Sequence, residues 1–160
     1  MTKKKESNET LAFVAEVFEK QVPFNRVLDL RVDIDDEAQV KVSFRMKDKL
    51  VGNFIRGTLH GGVIFSALDV VGGLVAFVNL CPRRKSRLTD EEIALFSRLG
   101  TIDMRVDFLR PGLGEAFVAT GAVLRVGRKV AVTRMELHND EGSLIAVATG
   151  AYSTGAYTVS

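Results

Sequence analysis

Three observations on this 160-residue sequence predict an α+β fold, with antiparallel strands wrapped around one helix. Strand-like alternation recurs on both sides of a single long apolar run. That run, Val63–Leu80, is long enough for only one central helix. No β–α–β rhythm separates the strands, so a doubly wound parallel sheet is excluded.

The elements follow in order. Asn8 to Val22 places Leu11, Val14, Ala15, Phe18 and Val22 at helical spacing, and Pro23 is expected to stop this helix. Leu28, Leu30, Val32 and Ile34 then alternate with polar residues. After the turn Asp35-Asp36-Glu37 the pattern resumes at Val40, Val42, Phe44 and Met46, which makes a hairpin. Residues 47–59 read as a loop before His60-Gly61-Gly62 and the apolar run. The segment from Cys81 to Leu99 carries Arg83-Arg84-Lys85-Ser86-Arg87 and then a capping-box pattern at Thr89-Asp90-Glu91-Glu92, predicting a short helix. The remainder reads as four strands, punctuated by Pro111-Gly112, Gly127-Arg128 and Asn139-Asp140-Glu141-Gly142. Gly121 inside the second of them predicts a bulge or bend.

The length suits one domain with a full core. Residues 1–8 read as a polar tail and 9–160 as the domain, with a helical insertion at about 81–99. The net charge is only +2, and Lys3-Lys4-Lys5 alone exceeds it, which argues against a nucleic-acid partner. The Arg83–Arg87 cluster has no interleaved aromatic residues and points the same way. A single cysteine, Cys81, forbids an intrachain disulfide and fits a reducing, cytoplasmic setting. The basic N-terminus lacks the apolar stretch of a signal peptide. Val63–Leu80 approaches the roughly 20 residues of a membrane span. Asp69 near its middle and the Gly72-Gly73 pair favour a buried core helix instead. Two histidines and one cysteine argue against a zinc site.

The chemistry concentrates at the start of the apolar run. A carboxylate among aliphatic side chains is costly to bury unless it is paired, so Asp69 is a candidate base or nucleophile. Gly61 and Gly62 open the helix, where unpaired N–H groups and the positive end of the helix dipole suit an oxygen gaining negative charge.

Asn53, then Gly57-Thr58-Leu59-His60-Gly61-Gly62, then Asp69 nine residues after the histidine, resemble the hotdog-fold acyl-CoA thioesterases of the phenylacetyl-CoA thioesterase (PaaI) type. Thr101–Pro111 and Val123–Lys129 are similar to strands of that family, and the likeness covers about residues 25–155. It implies a curved antiparallel sheet around a long central helix, and hydrolysis of a coenzyme A thioester without metal or redox cofactor. It also implies a homodimer with two shared active sites, often paired into a tetramer. By the same resemblance the Gly61 N–H polarises the thioester carbonyl, His60 orients Asn53 or that carbonyl, and Thr101 holds the attacking water. Two departures stand out. Asn53 lies seven residues before the histidine where the family has six, and the Cys81–Leu99 connection is longer than usual.

Gly61 and Asp69 are eight residues apart, roughly 12 Å of helix. An oxyanion donor must sit about 3 Å from its oxygen. One chain's pair is therefore strained to serve one thioester, and two antiparallel central helices would bring Gly61 of one chain near Asp69 of the other. Arg110, Arg125, Arg128 and Lys129, with Gly62, are candidates for the coenzyme A moiety, since guanidinium forks match phosphate oxygens. Phe65, Leu68, Phe77 and the 81–99 segment are candidates to shape the acyl pocket. Two alternatives stay open: a non-catalytic acyl-CoA or fatty-acyl binding protein, and a hotdog dehydratase or hydratase.

Overall fold

The computed structural model describes residues 10–35, 37–80, 94 and 96–155. Helix α1, residues 10–16, runs into a π-helical turn at Val17–Gln21, and a second short helix, α2, spans Pro23–Leu28. Leu11, Val14, Ala15 and Phe18 form the buried face that their spacing predicts. Pro23 does more than stop this helix. At the first position of α2 its missing N–H costs nothing, so it starts the next helix as well. The strand expected from Leu28 is shortened in consequence. Leu28 closes α2, Asp29 takes a left-handed conformation with φ 54°, and β1 covers only Arg31–Ile34.

The main sheet contains β1, β2 (Val40–Arg45), β5 (Gly100–Phe108), β6 (Ala116–Val126), β7 (Val130–Asn139) and β8 (Leu144–Ser153). Its order is β1-β2-β6-β7-β8-β5, with every neighbouring pair antiparallel. The expected hairpin holds, with Val32 opposite Val42, although Asp36 in its turn lies outside the described residues. Residues 47–59 are more ordered than a plain loop. They hold a 3-10 turn at Asp48–Leu50 and a small hairpin of β3 (Val51–Asn53) and β4 (Thr58–Leu59).

Helix α3, Gly61–Leu80, lies against the inner face of the curved sheet. Twelve of its twenty residues are buried, including Leu68, Val71, Leu74 and Phe77. It meets Val42, Phe44, Phe117, Ala119, Met135, Leu137 and Ala148 in one core cluster. By length and composition it could cross a membrane, yet its apolar residues are spent on this core. Gly121 does not mark a bulge. The ladder irregularity falls at Val123/Arg125, and Gly121 instead lets α3 approach: a β-carbon there would sit 3.1 Å from Val75 Cγ2. The capping box at Thr89 lies outside the described residues, as does the tail; residues 94 and 96–98 are helical.

Candidate active site

The hairpin β3–β4 delivers the chain to the start of α3. Leu59 N–H bonds the Gly112 carbonyl at 3.0 Å, and His60 N–H bonds the Leu50 carbonyl at 2.8 Å. The His60 ring folds back over the first helical turn, where its Nδ1 accepts from the Gly62 N–H at 2.9 Å. That bond requires an unprotonated Nδ1. One of the two glycine donors is thereby occupied. The Gly61 N–H has no acceptor among the described residues, as the first turn of a helix allows. A β-carbon on Gly61 would meet only the Phe108 ring, at 3.6 Å, so this end of α3 lies beside the C-terminal end of β5.

Asp69 lies two turns further on and is half-buried, so α3 turns its carboxylate away from the core and towards β5. The cost of a fully buried charge is avoided in this way. The Thr101 hydroxyl donates to Asp69 Oδ1 at 2.8 Å, fixing one carboxylate oxygen. Behind them stands Tyr152, 1% exposed, opposite Thr101 in the β5–β8 ladder. Its hydroxyl donates to the Asp69 backbone carbonyl at 3.3 Å. Burial first, and then the negative Asp69 nearby, push this phenol far above its ordinary pKa, so it remains a donor. Gly72 makes room for it: a β-carbon there would collide with the Tyr152 hydroxyl.

A cleft of about 250 Å³ opens beside this carboxylate. Asp69, Thr101 and Gly100 form its polar side, with Tyr152 at its base. The turn between α1 and α2 supplies the opposite wall through Phe18, Val22, Phe24 and Asn25. Asn25, 2% exposed, secures that wall by donating its side-chain N–H to the Phe18 carbonyl at 2.8 Å, a carbonyl lying in the π-helical turn.

The sequence-derived residues therefore separate into groups. Asp69 and Thr101 come together, and so do His60 and Gly62. Asn53 does not join His60. Its side-chain oxygen accepts from Ile55 and Arg56 N–H, both at 3.1 Å, and so builds the β3–β4 turn. Arg110 donates to the Leu144 carbonyl at 2.8 Å, beyond the Phe108 end of β5. Arg125, Arg128 and Lys129 are exposed around the β6–β7 turn. That turn lies at the Thr101 end of the sheet, because Val130 and Gly100 both pair with Ser153. Leu68 and Phe77 are core residues, with Phe77 4.0 Å from Phe96 between ring centres, and do not line the cleft. The wall from Phe18 to Asn25, Gly73 and Tyr152 were missed from sequence. Pro23 directly behind an amphipathic helix, and adjacent glycines in mid-helix, were the signals for them.

Residues 56–146 match the model of the thioesterase superfamily. The chain is 45% identical over 149 residues to the medium/long-chain acyl-CoA thioesterase YigI of Escherichia coli (strain K12), covering 93% of this chain and 96% of that protein. It is 29% identical over 140 residues to acyl-coenzyme A thioesterase 13 of Pongo abelii, covering 86% and 89%. A crystal structure from Shewanella oneidensis, of a protein related to the thioesterase superfamily, superposes with a TM-score of 0.83 at 50% identity, covering 93% and 97%. With the six-stranded sheet, the central helix and the paired Asp69 and Thr101, these similarities place the chain in the thioesterase superfamily, as a thioester hydrolase of the hotdog fold.

Proposed function

We propose that this chain hydrolyses acyl-CoA thioesters at sites shared between two copies, with Asp69 of one copy and the Gly61 N–H of the other acting on one substrate. The observation that carries this reading is the position of the two groups at opposite ends of β5. Asp69 is bonded to Thr101 and Gly61 lies against Phe108, so within one chain the donor and the carboxylate face different places.

Among the described residues β5 is an edge of nine residues with no strand beyond it. The other edge, β1, has four residues, and the Glu19 carboxylate accepts from its Val32 N–H at 3.1 Å. An open, long edge is a template for pairing and a short, capped one is not. A second copy adding antiparallel to β5 about a two-fold axis near Met104 and Arg105 continues the sheet. It lays the Thr101 end of one strand against the Phe108 end of the other, which brings Asp69 towards the partner's Gly61. It also covers Ile102 and Phe108, both about half exposed in the single chain.

In the resulting site the thioester oxygen accepts from the free Gly61 N–H and the helix dipole favours its growing charge. Asp69 takes a proton from a water positioned with Thr101, and that water's oxygen attacks the carbonyl carbon. The tetrahedral intermediate collapses with cleavage of the carbon–sulfur bond. The proton passes to the thiolate, leaving a carboxylic acid and coenzyme A. In the variant route an Asp69 carboxylate oxygen attacks the carbonyl carbon, expels the coenzyme A thiolate and leaves a mixed anhydride that water hydrolyses. Water attacking the Asp69 carbonyl in that step leaves heavy oxygen in the enzyme. No metal or redox cofactor enters either route. Arg125, Arg128 and Lys129, exposed at the Thr101 end of the sheet, meet the phosphates of coenzyme A in this reading; their position there supports it. The same chemistry suits a cytoplasmic enzyme, where acyl-CoA is available. Thiol release from acyl-CoA, followed with a thiol reagent, tests the reading. Release by the chain, and release slowed by about 100-fold or more in Asp69→Asn, is the expected result. Tight acyl-CoA binding without release would make it a binding protein instead.

A further inference from the structure

We infer that the cleft between α3 and the α1–α2 turn is the acyl subsite, and that Gly73 sets how long an acyl chain it takes. The inference rests on the hydrolytic reading above and names the part of the molecule that selects its substrate.

The cleft begins at the carboxylate and is mainly apolar beyond it, Asn25 being turned to the Phe18 carbonyl. Val70 and Gly73 of α3 form one side, Phe18, Val22 and Phe24 the other, and Leu99 closes towards β5. A thioester whose carbonyl carbon lies at Asp69 has two arms. One is the pantetheine arm, with amides that need partners. The other is a hydrocarbon chain that needs none. A cleft whose walls are aliphatic and aromatic matches the second. The cleft of about 250 Å³ has room for part of an acyl chain, and a longer chain emerges from its open side.

The two glycines in the middle of α3 serve different purposes. At Gly72 a β-carbon collides with the Tyr152 hydroxyl, so the residue is small because the protein needs the space. At Gly73 a β-carbon would meet Tyr152 Cε1 at 3.5 Å and Leu99 Cδ2 at 3.8 Å, which are ordinary contacts. The fold does not require glycine there, and in an exposed helix alanine would be favoured by about 1 kcal/mol. What glycine preserves is open volume along the α3 wall of the cleft, beside Val70 and Leu99. Gly73, Tyr152 and Leu99 all line the cleft, so a larger side chain at this position takes up cleft volume.

The test is steady-state thiol release by the whole 160-residue chain with saturated acyl-CoAs from about four to about sixteen carbons, where one methylene in an apolar pocket is worth roughly tenfold or more. Gly73→Val is expected to lower kcat/KM for long chains relative to short ones by about tenfold or more, and Gly73→Ala by less. Val22→Ala, on the facing wall, is expected to shift preference towards longer chains. Circular dichroism and thermal melting check the fold of each variant. Should Gly73→Val not fold, Gly73→Ala and Val22→Ala still carry the comparison. A loss equal at every chain length, or none at all, overturns the inference and leaves the hydrolytic reading standing. Absence of thiol release by the wild-type chain with every acyl-CoA overturns both.

Discussion

The two ends of the first half of α3 are built in opposite ways. At Asp69 the carboxylate has a hydroxyl partner, a buried phenol behind its backbone and a cleft beside it, all from its own chain. At Gly61 the N–H group has no acceptor among the described residues, and the neighbouring Phe65 and Phe108 are exposed and apolar, as are Phe54 and Ile55 on the hairpin tip, at 87% and 82% exposure. On the proposed reading the first end is a finished half of a site, and the second is a donor that the described residues leave uncovered. The contrast then fits reacting groups split between two copies, with the exposed half of one meeting the finished half of the other.

Removing the carboxylate should have the largest effect. Asp69→Asn keeps the shape and a hydrogen bond to Thr101, and kcat for thiol release should fall by about 100-fold to 10,000-fold with melting unchanged. Next is the donor. Gly61 is the first residue of α3, where proline is tolerated, and a β-carbon there has room against Phe108. Gly61→Pro should therefore delete the N–H without breaking the helix and lower kcat by about 100-fold or more, whereas Gly61→Ala keeps the N–H and most of the activity. An equal loss in the alanine variant would show that space, not the donor, matters at that end. Thr101→Val should cost roughly tenfold in kcat and Thr101→Ser should recover it, since only the hydroxyl reaches Asp69. The smallest effect is on stability. Gly72→Ala should lose about 1–3 kcal/mol in thermal or urea unfolding through its clash with Tyr152, while Gly73→Ala should not.

Much of the finished half was legible in the sequence. The apolar run with its interrupting Asp69 announced the core helix, and alternation in Val40–Phe44 and Ile102–Phe108 announced the strands around it. Helical rise alone separated Gly61 from Asp69. What was not legible depends on where segments meet. Tyr152 reaches the Asp69 carbonyl across 83 residues through the β5–β8 register, which no local pattern contains. The wall at Phe18–Asn25 depends on Pro23 starting a helix as well as ending one, and a proline after a periodic stretch signals only the end. Asn53 shows the reverse case. Its place before the histidine suggests chemistry, but its side-chain oxygen is taken by the turn it sits in, with one more residue in the hairpin than the family pattern has.

The central claim is that Asp69 and Gly61 of different copies complete one site. It is tested most directly by mixing two inactive variants, Asp69→Asn and Gly61→Pro, after dissociating and reassociating their subunits. In a mixed dimer one site then holds both native groups and the other holds both lesions, so thiol release should recover to a substantial fraction of the wild-type value. If each chain instead serves its own substrate, every site keeps one lesion. The mixture would then stay as inactive as its parts, which would contradict the account.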